Sequence, residues 1–69
     1  MTISVRLNGA ERAVTAATVD ALIAQLAIPG APRGIAVAVN GAVVPRTLWA
    51  ARNLRAGDAI EIVRATQGG

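Results

Sequence analysis

The group in this sequence best able to take part in chemistry is the α-carboxylate of Gly69. It ends a stretch of small and polar residues, Arg64-Ala65-Thr66-Gln67-Gly68-Gly69. Such a stretch brings no apolar group to repay the entropy of ordering, and glycine lacks the Cβ that keeps an enzyme channel at a distance. We therefore expect residues 65–69 to form a flexible tail that presents a carboxylate. The plain alternative is a chain end that tolerates any small residue.

The rest of the composition argues against an active site of the chain's own. The 69 residues include no cysteine and no histidine, which removes a side-chain thiol, the commonest general base and the commonest transition-metal ligand. The acidic residues are single and scattered, at Glu11, Asp20, Asp58 and Glu61. This inventory predicts a substrate or partner of enzymes, with no bound metal or cofactor.

The positive charge does not favour nucleic acid as a partner. The net charge of +3 comes from seven dispersed arginines, and Trp49 is the only aromatic residue, whereas nucleic-acid binding favours clustered charge and stacking platforms. No apolar segment approaches the roughly 20 residues that span a bilayer. Because Met1 is followed by strand-like alternation rather than a charged and then apolar leader, we expect a cytoplasmic protein.

The first half of the chain predicts a hairpin followed by a helix. Apolar residues alternate from Ile3 to Leu7, Asn8-Gly9 favours a type I′ turn, and residues 11–15 then predict the returning strand. Thr18 is a candidate N-cap for a helix that ends at Pro29-Gly30. The apolar stripe of this helix consists of Val19, Leu22, Ile23 and Leu26.

The second half predicts a second hairpin and a last strand. Residues 35–39 form an apolar strand, Asn40-Gly41 a second turn, and residues 42–44 a strand that Pro45 ends or confines to an edge. Thr47 is predicted to cap a short helical turn that carries Leu48 and a core-forming Trp49. A turn at Gly57-Asp58 and a strand over residues 59–63 follow. The elements predict an α+β domain over residues 1–64, a mixed sheet of about five strands with one main helix packed across it.

Several local motifs resemble those of a known family. They cover almost the whole chain and are strongest from Ile35 onward; the most discriminating is Val44-Pro45-Arg46 with Trp49 three residues later. The others are Ala38-Val39-Asn40-Gly41, Leu54, Gly57-Asp58, Ile60-Glu61-Ile62-Val63 and the final Gly68-Gly69. Together they resemble the ThiS family of bacterial sulfur carriers in thiamine biosynthesis, which has the ubiquitin-like β-grasp fold.

The resemblance implies a definite role for the tail. An α-carboxyl group has a pKa of about 3.5, so it is ionised at neutral pH and must be activated before it accepts sulfur. In the family, a ThiF-like adenylyltransferase uses ATP to activate the terminal glycine, here Gly69. A cysteine desulfurase-derived donor makes the thiocarboxylate, which gives its sulfur to thiazole synthase (ThiG). Gly68 would supply clearance, and Gln67 and Thr66 an extended tail that forms hydrogen bonds.

The resemblance also implies a docking face on the side of the sheet away from the helix. We expect Ala36, Ala38 and Val63 to lie there, since small apolar residues are unusual on a solvated surface. Residues Arg6, Glu61 and Arg64 are expected to flank them and to help orientation more than affinity. The alternative is that these alanines only fit a crowded sheet.

Three other functions stay open at this point. The small subunit of molybdopterin synthase is also a β-grasp protein with a Gly-Gly end, although the Val44 to Trp49 motif favours the thiamine family. A protein modifier would join its activated terminus to a target lysine. An interaction module would use no terminal chemistry, and deletion of Gly69 would then change nothing.

Overall fold

Residues 2–64, which the computed structural model describes, fold into five strands, one α-helix and one short 3-10 helix. In chain order the elements are β1 (Ile3–Leu7), β2 (Ala10–Val14), α1 (Val19–Leu26), β3 (Ile35–Val39), β4 (Ala42–Val44), the 3-10 helix (Arg46–Leu48) and β5 (Ala59–Arg64). The predicted succession of elements is confirmed, and β5 runs one residue further than the sequence pattern indicates.

The strands form one mixed sheet in the order β2-β1-β5-β3-β4. Strand β5 pairs parallel with β1 and antiparallel with β3, so the last strand of the chain lies at the centre of the sheet. Strand β4 lies at an edge, as the proline after it indicates. The predicted α+β class and mixed five-stranded sheet are therefore confirmed.

Both Asn-Gly turns adopt the backbone that the sequence predicts. Asn8 and Gly9 have φ angles of 50° and 85°, and Asn40 and Gly41 have φ angles of 52° and 85°. Positive φ at both central positions defines the type I′ turn, whose twist matches that of the flanking strands. Each turn therefore joins its two strands in a fixed register.

The side chain of Asn8 extends the pairing between β1 and β5. That ladder has only two register pairs, Arg6 with Ala59 and Leu7 with Ile60. Beyond it, Nδ2 of Asn8 donates to the carbonyl of Ile62 at 3.2 Å, and Oδ1 accepts from the N–H of Ile62 at 2.8 Å. The amide thus makes the two hydrogen bonds that a strand backbone would make.

The side-chain amide of Asn40 forms hydrogen bonds at the beginning of β5. Its Oδ1 accepts from the N–H of Ala59 at 2.9 Å, and its Nδ2 donates to Oδ1 of Asp58 at 3.0 Å. The second carboxylate oxygen of Asp58, which is buried, accepts from the N–H of Arg55 at 2.8 Å. Two asparagine side chains therefore hold β5 on opposite sides.

Helix α1 begins where the sequence predicts. Oγ1 of Thr18 accepts from the N–H of Ala21 at 3.1 Å, which confirms the N-cap. The free N–H groups of Val19 and Asp20 donate to the carbonyls of Arg52 and Trp49, so the loop before β5 completes the cap. The predicted stripe faces the sheet: its first three members are buried and Leu26 is half-buried.

The helix ends earlier than predicted, at Leu26 rather than next to Pro29-Gly30. Ala27 follows in the left-handed conformation with φ of 52°, and its N–H donates to the carbonyl of Ala24 at 3.2 Å. This is the terminating geometry that glycine usually supplies, here adopted by a residue with a Cβ.

The predicted role of Thr47 is wrong. The 3-10 helix begins at Arg46, directly after Pro45, and no side-chain hydrogen bond caps it. Proline already has the φ that starts a helical turn, so Thr47 lies inside the turn rather than before it. Trp49 is buried in the core as predicted, and its Nε1–H donates to the carbonyl of Val44 at 2.9 Å.

We predict that Asn8→Gly lowers the free energy of unfolding by about 1–2 kcal/mol, because two hydrogen bonds are lost while positive φ is retained. Asn8→Asp keeps the acceptor for the Ile62 N–H and loses the donor, so it should fall between this variant and the wild type. Urea denaturation measures all three. Equal stability of wild type and Asn8→Gly would contradict the role given to the amide.

We predict that Ala27→Gly raises the free energy of unfolding by about 0.5–1 kcal/mol. The left-handed backbone costs a non-glycine residue about 1–2 kcal/mol, and the greater freedom of glycine in the unfolded chain offsets part of the gain. Ala24→Gly, the same change inside α1, is the control and should lower stability by about 1 kcal/mol. Thermal melts that show loss in both variants would contradict the prediction.

Candidate functional site

The tail expected to carry the chemistry lies outside the described residues. The roles of Thr66, Gln67, Gly68 and Gly69, and the tail beginning at residue 65, therefore stay predictions. What the structure gives is the point from which the tail departs, the end of β5 at Arg64. The two sides of the sheet at this point form the candidate site.

The residues predicted to share a docking face do lie on one side of the sheet. Val37 and Val39 point into the core, so Ala36 and Ala38, which alternate with them along β3, point to the side opposite α1. Ala36 is opposite Val63 in the pairing of β3 with β5, and the Val63 side chain is 58% exposed. The face is apolar and open to solvent.

Sequence reasoning missed the most exposed large apolar residue of this face, Val43. It is 73% exposed and lies opposite Ala38 in the pairing of β3 with β4. Its position followed from the two-residue Asn40-Gly41 turn, because a type I′ hairpin fixes which residues face each other. We call Ala36, Ala38, Val43 and Val63 the outer patch.

The outer patch surrounds a small depression of about 120 Å³. The alanine methyl groups are too short to cover the flanks of Val43 and Val63, which therefore stand above the floor. Glu61, opposite Ala38 across β3 and β5, lines the same depression and brings one negative charge. Contiguous exposed apolar surface with a polar rim is typical of a protein-binding site.

Arg64 does not flank the outer patch, contrary to the prediction. Because strand residues alternate between faces, Arg64 lies on the helix side together with Ile62. Its Nη2 donates to the carbonyl of Pro29 at 3.1 Å, which ties the end of β5 to the loop after α1. The outer patch thus has Arg6 and Glu61 as the remaining predicted flanking charges.

No group of His, Cys, Asp and Glu side chains within residues 2–64 is arranged to hold a metal ion. In the same range, the helices are too short or too polar to cross a membrane.

The fold and the outer patch together define a class of protein. A mixed five-stranded sheet with its last strand at the centre, one helix across it and an apolar outer face is the ubiquitin-like β-grasp fold. The sequence matches the model of the ThiS family over residues 5–69, so the chain belongs to the ThiS family. This confirms the family resemblance that the motifs indicate.

A solved structure supports the same assignment. The chain is similar to the thiamine biosynthesis protein (ThiS) from Geobacter metallireducens, with a TM-score of 0.84 and 28% sequence identity. The superposition covers 97% of this chain and 100% of that chain. A comparison with curated proteins gives no match.

Proposed function

We propose that this chain is the sulfur carrier that supplies sulfur for the thiazole ring in thiamine biosynthesis. The observation that carries the proposal is the family match, which extends to residue 69 and therefore includes Gly68-Gly69. The similarity to a thiamine biosynthesis protein favours this pathway over molybdopterin synthesis. The chain acts as a protein substrate and not as an enzyme.

The reactive group is the Gly69 carboxylate. A ThiF-like adenylyltransferase transfers AMP from ATP to the carboxylate and releases pyrophosphate, which turns a poor electrophile into an acyl-adenylate. A donor that carries the desulfurase's sulfur as a persulfide then displaces AMP through its terminal sulfur, which gives an acyl disulfide. A thiol reduces the S–S bond of this acyl disulfide, which releases the thiocarboxylate and leaves the donor and the thiol joined as a disulfide. Thiazole synthase takes the sulfur from this thiocarboxylate. ATP belongs to the partner enzyme, and the chain itself binds no cofactor.

The domain's contribution is to present the tail from a fixed origin. Hydrogen bonds from Asn8 and Asn40 hold β5 on both sides, so the direction in which the chain leaves Arg64 is set by the sheet. Five residues beyond Arg64 reach at most about 17–18 Å when extended. Gly69 can therefore enter an active site while the domain stays outside it.

The outer patch is the surface on which we place the activating enzyme. It begins next to the end of β5, since Val63 belongs to it, and it offers apolar area that a partner removes from water. Docking there places the end of β5, from which the tail continues, against the enzyme.

Incubation with ATP, a sulfur donor and the activating enzyme should replace one oxygen of the chain by sulfur. Intact-mass spectrometry detects this as a gain of about 16 Da, and deletion of Gly69 should abolish it because the reacting carboxylate is then misplaced. No gain in mass, with an enzyme shown to activate another carrier, would overturn the proposed function.

We expect Ala38→Arg to weaken binding to the activating enzyme about tenfold or more, equivalent to about 1.4 kcal/mol, since the long side chain fills the depression. Ala13→Arg is the matched control, because Ala13 is exposed on edge strand β2 outside the patch. Isothermal titration calorimetry gives both affinities, and circular dichroism checks the fold. Equal affinity of the two variants would show that the outer patch is not the docking surface.

A further inference from the structure

A groove of about 350 Å³ lies on the helix side of the sheet, at the end where β5 finishes. Its floor consists of five half-buried aliphatic side chains, Leu7, Leu26, Ile28, Ile35 and Ile62. They come from β1, the end of α1 and the loop after it, β3 and β5. The short helix, which ends at Leu26, leaves this end of the sheet uncovered.

Two arginines give the groove a positive charge. Arg12 on β2 and Arg64 on β5 both line it. Within residues 2–64, no aspartate or glutamate lines the groove. Arg64 is held in place by the carbonyl of Pro29. The Arg12 side chain is exposed, so its charge is available to a ligand. An occupant that fits this groove has apolar groups for the floor and a negative charge for the arginines.

The chain itself does not supply such an occupant. Residues 65–69 include no long aliphatic side chain that would fill a floor of leucine and isoleucine. A second copy carries the same net charge of +3, so two copies repel each other. The complementary partner is a different protein that offers an apolar side chain beside a carboxylate.

The position of the groove indicates which protein this is. Val63 belongs to the outer patch, whereas Ile62 and Arg64 on either side of it in sequence belong to the groove. The last residues of β5 therefore expose binding surface on both faces of the sheet. An enzyme that takes the tail must approach this end of β5 and meets both surfaces.

We propose that the groove binds an acidic and apolar segment of the enzyme that adenylates Gly69, as a second contact in addition to the outer patch. The inference rests on the proposed function. Adenylation brings an ionised carboxylate close to the phosphates of ATP, and the two repel each other. This step therefore gains most if the end of β5, from which the tail continues, is bound on both faces of the sheet. A contact on one face alone leaves the domain freer to change its orientation on the enzyme.

Arg12 gives the sharpest test because its side chain is exposed and its replacement leaves the core intact. We expect Arg12→Gln to weaken binding to the activating enzyme three- to tenfold and Arg12→Glu to weaken it further. Arg55→Gln is the matched control: Arg55 is exposed in the loop before β5 and does not line the groove. Calorimetry at several salt concentrations should also show a weaker salt dependence for Arg12→Gln than for wild type.

The apolar half of the contact is tested by Ile28→Ser, with a thermal melt to verify folding. Ile28 lies in the loop after α1, and we expect at least a threefold loss of affinity for the activating enzyme. An intact affinity in Arg12→Glu, or the same loss in Arg55→Gln as in Arg12→Gln, would overturn the inference.

The outcomes separate this inference from the proposed function. If wild type gains sulfur and Arg12→Glu binds the activating enzyme equally well, only the groove contact fails. If wild type gains no sulfur, the proposed function fails, and the groove contact, which rests on it, fails with it. Faster adenylation of Arg12→Glu would assign the groove to the chain's own tail, and a dimer lost in this variant by sedimentation would assign it to a second copy; either result overturns the inference.

Discussion

The structure depends on how its last strand is held at the centre of the sheet. Strand β5 has six residues, yet its parallel ladder with β1 has only two register pairs. The Asn8 amide adds two hydrogen bonds to Ile62, and the Asn40 amide bonds Ala59 at the other end. Both amides are placed by type I′ turns, so the residues that close the hairpins also hold the strand from which the tail leaves. A β5 held by β3 alone would be freer to fray at Arg64, the end from which the proposed reactive segment continues.

A strand held in this way divides its side chains strictly between two faces. Near the end of β5, Val63 faces the outer patch and Ile62 and Arg64 face the groove beside α1. Exposure of aliphatic surface on both faces has a cost for a free domain, because apolar area stays in contact with water. The proposed partner would offset that cost by covering the surface, and the arginines beside the groove favour a partner with an acidic surface.

The parts of this structure that local chemistry decides were predictable from sequence. The Asn-Gly pairs specify their turns through positive φ, and Thr18 specifies the start of α1 through its hydroxyl group. Local chemistry also misled two predictions: Pro45 rather than Thr47 precedes the 3-10 turn, and α1 ends at Leu26 rather than next to Pro29-Gly30. Arg64 was expected beside the outer patch, although strand alternation places it on the side of Ile62, and Val43 was not identified, although the Asn40-Gly41 turn pairs it with Ala38. The groove has no signal in any one segment, since four separate segments contribute its floor.

The division of labour between domain and tail explains the composition of the chain. In the proposed function the sulfur is carried on the terminal carboxyl group, which needs no cysteine, and the sequence contains none that would compete for the sulfur or react with the acyl-adenylate. The same proposal needs no histidine, because it assigns the acid–base chemistry to the partner enzymes. Under that proposal the domain must supply a fixed starting point for residues 65–69, at the end of β5, and surfaces that orient the domain on its partner. A core of aliphatic residues with a single tryptophan, closed by amide hydrogen bonds at both ends of β5, meets that requirement with 69 residues.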